Sequence, residues 1–153
     1  MIFVFHVFAG VIIASKVTFL PFAILLALLS HYLLDFLPHK EYSVKNIVKK
    51  DWKNSELDFW KVAIDSGLSF VVIAVIHSIA NISYFNLMIV AFFAILPDIL
   101  NASSWLLPNS KILQYHSDFH RMVHFPKDKK ISDFWRFSSH IVIVIFFVAL
   151  LTI

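Results

Sequence analysis

Ser30-His31-Tyr32-Leu33-Leu34-Asp35-Phe36-Leu37-Pro38-His39-Lys40 closes an apolar run that begins near Phe19. His31, Asp35 and His39 recur every four residues, which on a continuous helix lines them along one face. Ionisable groups are costly in hydrocarbon and tend to mark a site there. Imidazole and carboxylate are also the usual ligands of zinc and related divalent ions. The question this stretch sets for the rest of the chain is whether more His and Asp arrive at the same place.

Composition limits the answer. The chain has 153 residues, enough for one domain, and 59% of them are hydrophobic. Its mean hydropathy of +0.80 lies far above that of a soluble domain. Seventeen Phe against two Gly suit lipid-facing helices. Cys is absent, so disulfides, thiolate metal sites and cysteine nucleophiles are excluded. The formal charge of +3 is modest and its basic residues gather in two loops, which reads as membrane topology rather than nucleic-acid binding.

Taken in order, Ile2 to Ala14 are apolar except for His6. That is short for a span of about 20 residues, and no Lys or Arg precedes it as in a signal peptide, so a first helix, tilted or partial, is expected. Phe19 to Leu37 form the second span, with Pro21 in its first turn and Pro38 ending it. A polar loop with Lys40, Lys45, Lys49, Lys50 and Lys53 follows. Ser55-Glu56-Leu57-Asp58 resembles a helix start with Ser as cap, opening a third span from about Phe59 to Ala80. Asn81 to Asn86 make an uncharged turn, and Leu87 to Leu107 a fourth span that Pro97 should kink. Pro108 to Asp133 are polar again, with Lys111, Arg121, Lys127, Lys129 and Lys130, and contain a candidate surface helix over Ile112 to Phe125. Phe134 to Ile153 are the last span.

The pattern predicts an all-α, polytopic integral membrane helix bundle. It has about five transmembrane or membrane-embedded helices, a short interfacial helix, and one domain over residues 1–153. Both Lys-rich loops and the N-terminus are expected on the cytoplasmic side of a prokaryotic inner or plasma membrane, with Trp60, Trp105 and Trp135 at that interface. Seven of the eight His, all but His77, and the three embedded Asp (Asp35, Asp65 and Asp98) then fall toward one side. Residues that merely glue helices would spread over both leaflets.

A second constellation is Tyr115-His116-Ser117-Asp118-Phe119-His120-Arg121-Met122-Val123-His124, again with His every fourth residue. Two His at that spacing can chelate one ion. A surface segment whose His face water would look the same, but beside the Asp35 and Asp98 motifs the ligand reading is favoured. Asp98 could instead satisfy backbone freed by Pro97. Asp65 and His140 suit either a supporting hydrogen bond to a ligand or an interhelical one. His77 reads as structural, and His6 as either a core histidine or a ligand.

These motifs resemble those of the YdjM-like family of membrane-bound metal-dependent hydrolases. That family shows an early His in the first apolar helix, Leu-Pro-Asp at the end of a span, a His-Arg…His motif in a loop, and a His-Leu-Leu-Asp type motif in a span. The matching pieces here are His6, Leu96-Pro97-Asp98, His120-Arg121 with His124, and His31-Tyr32-Leu33-Leu34-Asp35. The last precedes Leu-Pro-Asp in this chain, whereas the family has it late, and no second acid follows Asp98 closely.

The expected function is a metal-dependent hydrolase at the cytoplasmic membrane surface, acting on a lipid-linked phosphate or ester. His31, Asp35, His39, Asp98, His120 and His124 are the candidate ligands, with His6 and His116 as further candidates. Zinc is favoured over manganese or iron. Asp35, Asp98 and Arg121 are the candidate catalytic residues, and Arg121 with Lys40 would bind an anionic head group. No nucleophile elbow or phosphate-binding Gly loop appears, so serine-hydrolase, nucleotide and nucleic-acid chemistry are unsupported. The rivals are a divalent-metal or proton transporter and a non-catalytic membrane scaffold.

Overall fold

Small side chains let the first helix occupy the middle of the molecule. α1 (Phe3–Lys16) is apolar on every side, and Ala9, Gly10 and Ala14 are among its buried residues. A helix of that kind belongs in an interior. It packs against α2 (Leu20–Phe36), α4 (Glu56–Ala80), α5 (Tyr84–Leu106) and α7 (Asp133–Thr152). The remaining elements are a single turn, α3 (Lys45–Val48), a 3₁₀ turn at Trp52–Asn54, and α6 (Lys111–Val123). The computed structural model describes residues 2–39, 41–124 and 132–152, and among these there is no strand. Lys40, Phe125, Lys127, Lys129 and Lys130, named above, lie outside the described residues.

Two helices, α4 with 25 residues and α5 with 23, are long and apolar enough to cross a membrane. α1, α2 and residues Phe137–Thr152 are shorter apolar helices. The first helix is central rather than partial. Val7, Val11 and Ala14 meet Ala23 and Ala27 of α2, Ile73 and Ile76 of α4, and Leu87, Val90, Ala91 and Ala94 of α5 in one cluster. Its opposite side, with Ala9 and Ile12, meets Leu34, Ile143 and Phe147.

Gly10 sets the approach of α1 to α5. A Cβ built there would lie 2.9 Å from Ala94 Cβ and 3.1 Å from Ala91 Cα and the Val90 carbonyl. Close backbone approach through small residues is how helices associate where burial from water gives no drive.

Helix ends follow local rules with two departures. Pro21 sits in the first turn of α2, and α2 stops at Phe36 with Leu37 extended before Pro38. α5 continues through Pro97. Ser55 does not cap α4 with its hydroxyl, which donates instead to the Trp52 carbonyl at 2.9 Å and closes the 3₁₀ turn. α1 has no side-chain cap of its own. Asp65, well inside α4, supplies one: its two oxygens accept from Phe3 N–H at 2.9 Å and Val4 N–H at 3.0 Å. The Tyr42 hydroxyl donates to the same carboxylate at 2.9 Å. The interhelical role was thus the correct one of the two weighed for Asp65. Asp58 treats α3 similarly, accepting from Asn46 N–H at 2.9 Å.

Three results are expected in thermal unfolding of the purified protein. Gly10→Val should destabilise by about 1–3 kcal/mol through overpacking. Gly67→Ala, where nothing lies within 4 Å of the new methyl, should stabilise by up to about 1 kcal/mol. Asp65→Ala should cost about 1–2 kcal/mol by stripping the start of α1 of its acceptor, and Asp65→Asn less.

Candidate metal centre

Four elements meet where α2 ends. α2 presents His31 and Asp35 one turn apart, α5 presents Asp98 just after Pro97, α6 presents His120, and α1 presents His6. His6, His31 and Asp35 are at most 1% exposed.

The atoms converge closely. The Nε2 atoms of His31 and His120 are 3.1 Å apart. Asp35 Oδ2 lies 3.2 Å from each of them. Asp98 Oδ1 lies 3.4 Å from His120 Nε2 and 3.8 Å from His31 Nε2. All four ligand atoms fall within 4.8 Å of one another. A tetrahedral ion with bonds of about 2.0–2.1 Å has ligand–ligand edges of about 3.3–3.4 Å, and an octahedral one about 3.0 Å. The five measured separations straddle that range, so these side chains are spaced as the donors of one small cation.

His31 is oriented for this. Its Nδ1–H donates to the Ala94 carbonyl at 2.8 Å, and a carbonyl can only accept, so the Nε2 lone pair faces the other donors. Fixing a ligand imidazole through its far nitrogen is the common supporting arrangement at metal sites. His6 stacks on His31 with ring centroids 4.1 Å apart and puts Nε2 3.3 Å from Asp35 Oδ1 and 3.9 Å from Asp98 Oδ2. Neither of its nitrogens makes a well-aligned hydrogen bond.

A second group adjoins the first: Asp35, His39, Glu41 and His124, also with ligand atoms within 4.8 Å. Glu41 Oε1 is 2.8 Å from His124 Nε2 and 3.2 Å from His39 Nε2. His39 is not on the face of a continuous helix as its spacing suggested, because α2 ends before it. The extended Leu37–Pro38 link turns it in, and its Nδ1–H donates to the Leu37 carbonyl at 2.7 Å. His124 likewise lies just past the end of α6. Glu41 was missed in the sequence, where it reads as one more polar loop residue. The available signal was that it is the nearest acid to His39.

Other sequence-predicted residues lie elsewhere. Arg121 is turned outward: its guanidinium pairs with Asp118 at 2.8 Å and its side chain is 82% exposed. His116 belongs to neither group, with Nε2 3.4 Å from the Tyr32 hydroxyl. His140 stacks on Phe5 at 4.8 Å. His77 donates from Nδ1 to the Ile82 carbonyl at 2.6 Å and closes the α4–α5 turn, a structural role. Two surface clefts, one at Trp52, Phe59 and Trp60 and one at Phe137, Ile141 and Ile145, lie beside helix faces and share no residue with either group.

The charges reinforce one another. Burial works against a charge on His120, but the carboxylates of Asp35 and Asp98 outweigh it and raise the imidazole to about 9. Burial also opposes ionisation of Glu41, yet the imidazoles of His124 and His39 hold its carboxyl well below the usual range. His116 is lowered by burial and by its neighbour His120.

Comparison with protein families, with curated proteins and with solved structures finds no match to this chain.

The raised His120 gives a signed pH dependence. In chelator-treated protein its ion pairs contribute fully below the unfolded value of about 6.5 and are lost as pH rises through about 9. The melting-temperature gap between wild type and His120→Gln should therefore narrow steadily from pH 6 to pH 10. A gap that widens over that range would refute the assignment.

Proposed function

We propose that the protein is an integral membrane, metal-dependent hydrolase. One divalent ion, zinc in the first instance, would be held by His31, Asp35, Asp98 and His120. The observation that carries this reading is the set of 3.1–3.8 Å separations among those four side chains. The donor set fits: it is imidazole and carboxylate, it is buried, and the chain has no thiolate to compete. A bound ion of this kind supplies an activated water and a Lewis acid.

The chain's own residues do the rest. The Ala94 carbonyl fixes the His31 ring, and Asp98, whose side chain is 28% exposed, is the donor open to water and substrate.

Membrane embedding is supported by a burial pattern that runs opposite to that of a water-soluble domain. His and Asp are inside, while Leu57, Ile79, Phe85 and Phe134 are about 70% exposed. Only 22% and 28% of the apolar windows of α4 and α5 are buried, whereas the core helix of a soluble protein is mostly buried. We read α1, α2, α4, α5 and α7 as the membrane-embedded bundle, one domain over residues 1–153, and α6 as the interfacial helix. On α6, Ile112, Tyr115 and Met122 form one exposed apolar stripe beside the inward His stripe. A site at that level suits a lipid-linked phosphate or ester, with its tail in the bilayer and its scissile bond in water. The resemblance to the YdjM-like family points the same way.

A transport path is less well supported. Past His6 the packed cluster is Val7, Val11, Ala14, Ile73, Ile76, Leu87 and Val90, and among the described residues of α4 Ser69 is the one buried polar side chain between Asp65 and His77.

Purified full-length protein should carry a divalent ion by elemental analysis and hydrolyse a lipid-linked phosphate or ester in mixed micelles. Asp98→Ala and His31→Ala should each lose the ion and more than about 100-fold of the activity. Metal-free wild-type protein, or a His31→Ala variant of unchanged activity, would remove the hydrolase reading.

A further inference from the structure

The second group shares one residue, Asp35, with the proposed hydrolase site, and the two Asp35 oxygens face different ways. Oδ2 faces His31 and His120, each at 3.2 Å. Oδ1 faces His6 at 3.3 Å and His124 at 3.8 Å. On that outer side a single oxygen, Glu41 Oε1, stands between the Nε2 atoms of His39 and His124, at 3.2 Å and 2.8 Å. The two rings are 4.8 Å apart and steeply inclined. His39 has committed its Nδ1–H to the Leu37 carbonyl, so in the neutral ring the nitrogen facing Glu41 is an acceptor facing an acceptor. A second proton on His39 or a cation beside them relieves that opposition, and counting the bound metal separates the two.

His6 is a separate observation pointing the same way. It is fully buried, neither nitrogen makes a well-aligned hydrogen bond, and its Nε2 faces Asp35 Oδ1 at 3.3 Å. Burying an imidazole so poorly bonded is costly, and a cation held at Asp35 Oδ1 lies on the side its Nε2 faces.

We infer that His39, Glu41 and His124, with Asp35 Oδ1, form a second divalent-cation site, and that the Asp35 carboxylate bridges two ions. This rests on the hydrolase reading, since the inner ion is the one proposed there. The donor set of two imidazoles and two carboxylates takes the same class of ion as the inner site. The outer site reaches solvent through two of its donors: the Glu41 side chain is 26% exposed and that of His124 13%, much as Asp98 opens the inner site at 28%. It therefore has room for water in its remaining coordination positions. Carboxylate-bridged pairs of ions stand about 3.5–4 Å apart, close enough for two Mn(II) ions to couple magnetically.

The test uses full-length protein in detergent, stripped with a chelator, titrated with Mn(II) alone, counted by elemental analysis and read by electron paramagnetic resonance. Wild type should bind two ions per chain and give an exchange-coupled spectrum. Glu41→Gln and His39→Gln should each bind one, with the coupling replaced by the six-line signal of an isolated ion. Asp35→Asn should lose both, and His77→Gln should keep two. The metal-free melting temperature of each variant checks that it folds, and either outer-site variant serves alone if the other does not. One ion in wild type, or two coupled ions in Glu41→Gln, would overturn the second site while leaving the single-ion hydrolase standing. The first of these results would mean that His39, Glu41 and His124 are only an ion-paired cluster. No ion in wild type would overturn both proposals.

Discussion

A carboxylate buried to 1% exposure is the constraint around which this bundle is arranged. Asp35 sits at the end of α2 with imidazoles from α1, α2 and α6 around it, at 3.2–3.3 Å for the nearest three. Removing one partner of a buried ion pair costs about 3–5 kcal/mol, whereas replacing the whole cluster with apolar side chains is often neutral or favourable. The cluster is therefore a weak device for stability, and its cost makes sense if it holds a ligand. It also couples helices that otherwise meet through small apolar contacts. α6 lies against α5, where Gln114 donates to the Ser104 carbonyl and Ser117 to Asn101, and His120 and His124 tie it to the cluster as well.

The rest of the packing serves to bring those groups within reach. Gly10 allows α1 to lie against Ala91 and Ala94 of α5, and that closeness sets His6 beside the His31 ring. The Ala94 carbonyl, on the same stretch of α5, is the acceptor that orients His31. Asp65 fixes the start of α1 from α4, two residues before His6 begins its turn. Tyr42 joins the same carboxylate and so anchors the loop that carries His39 and Glu41. Close packing, capping and site geometry are thus carried by overlapping residues. A change at Gly10 or Asp65 reaches the cluster without touching a ligand.

The helices, their ends near Pro21 and Pro38, and the convergence of His6, His31, Asp35, Asp98, His120 and His124 were readable because they rest on local rules: apolar run length, proline chemistry, and four-residue spacing. The parts that were not readable depend on tertiary context. Nothing periodic marks Glu41, since it enters through a non-helical link after α2 has ended. His39 joins the cluster by a route its spacing does not describe, since that spacing implies a helix and α2 ends before Pro38. Arg121 follows His120 by one residue, and on a helix that rotation of about 100° carries it out of the site to Asp118. Ser55 does stand where α4 begins, as its sequence context implies, but its hydroxyl donates back to the Trp52 carbonyl and makes no capping bond. The centrality of α1 could not be seen from length alone, because the signal lay in its small residues and in what faces them.

The two groups differ in a way that bears on how the site would work. The inner donors are held on three sides by helices and, through His31, by a backbone hydrogen bond, so they need little movement to accept an ion. That is the arrangement that keeps ordering costs low. The outer donors other than Asp35 come from a loop and from the residue just past the end of α6. Local opening is easiest at such elements, which have few apolar contacts. Asp98 and Glu41, the most open carboxylates of the two groups, stand on either side of Asp35. On the hydrolase reading, a substrate approaching from water would meet first the two least confined carboxylates, with the buried Asp35 behind them joining the two groups.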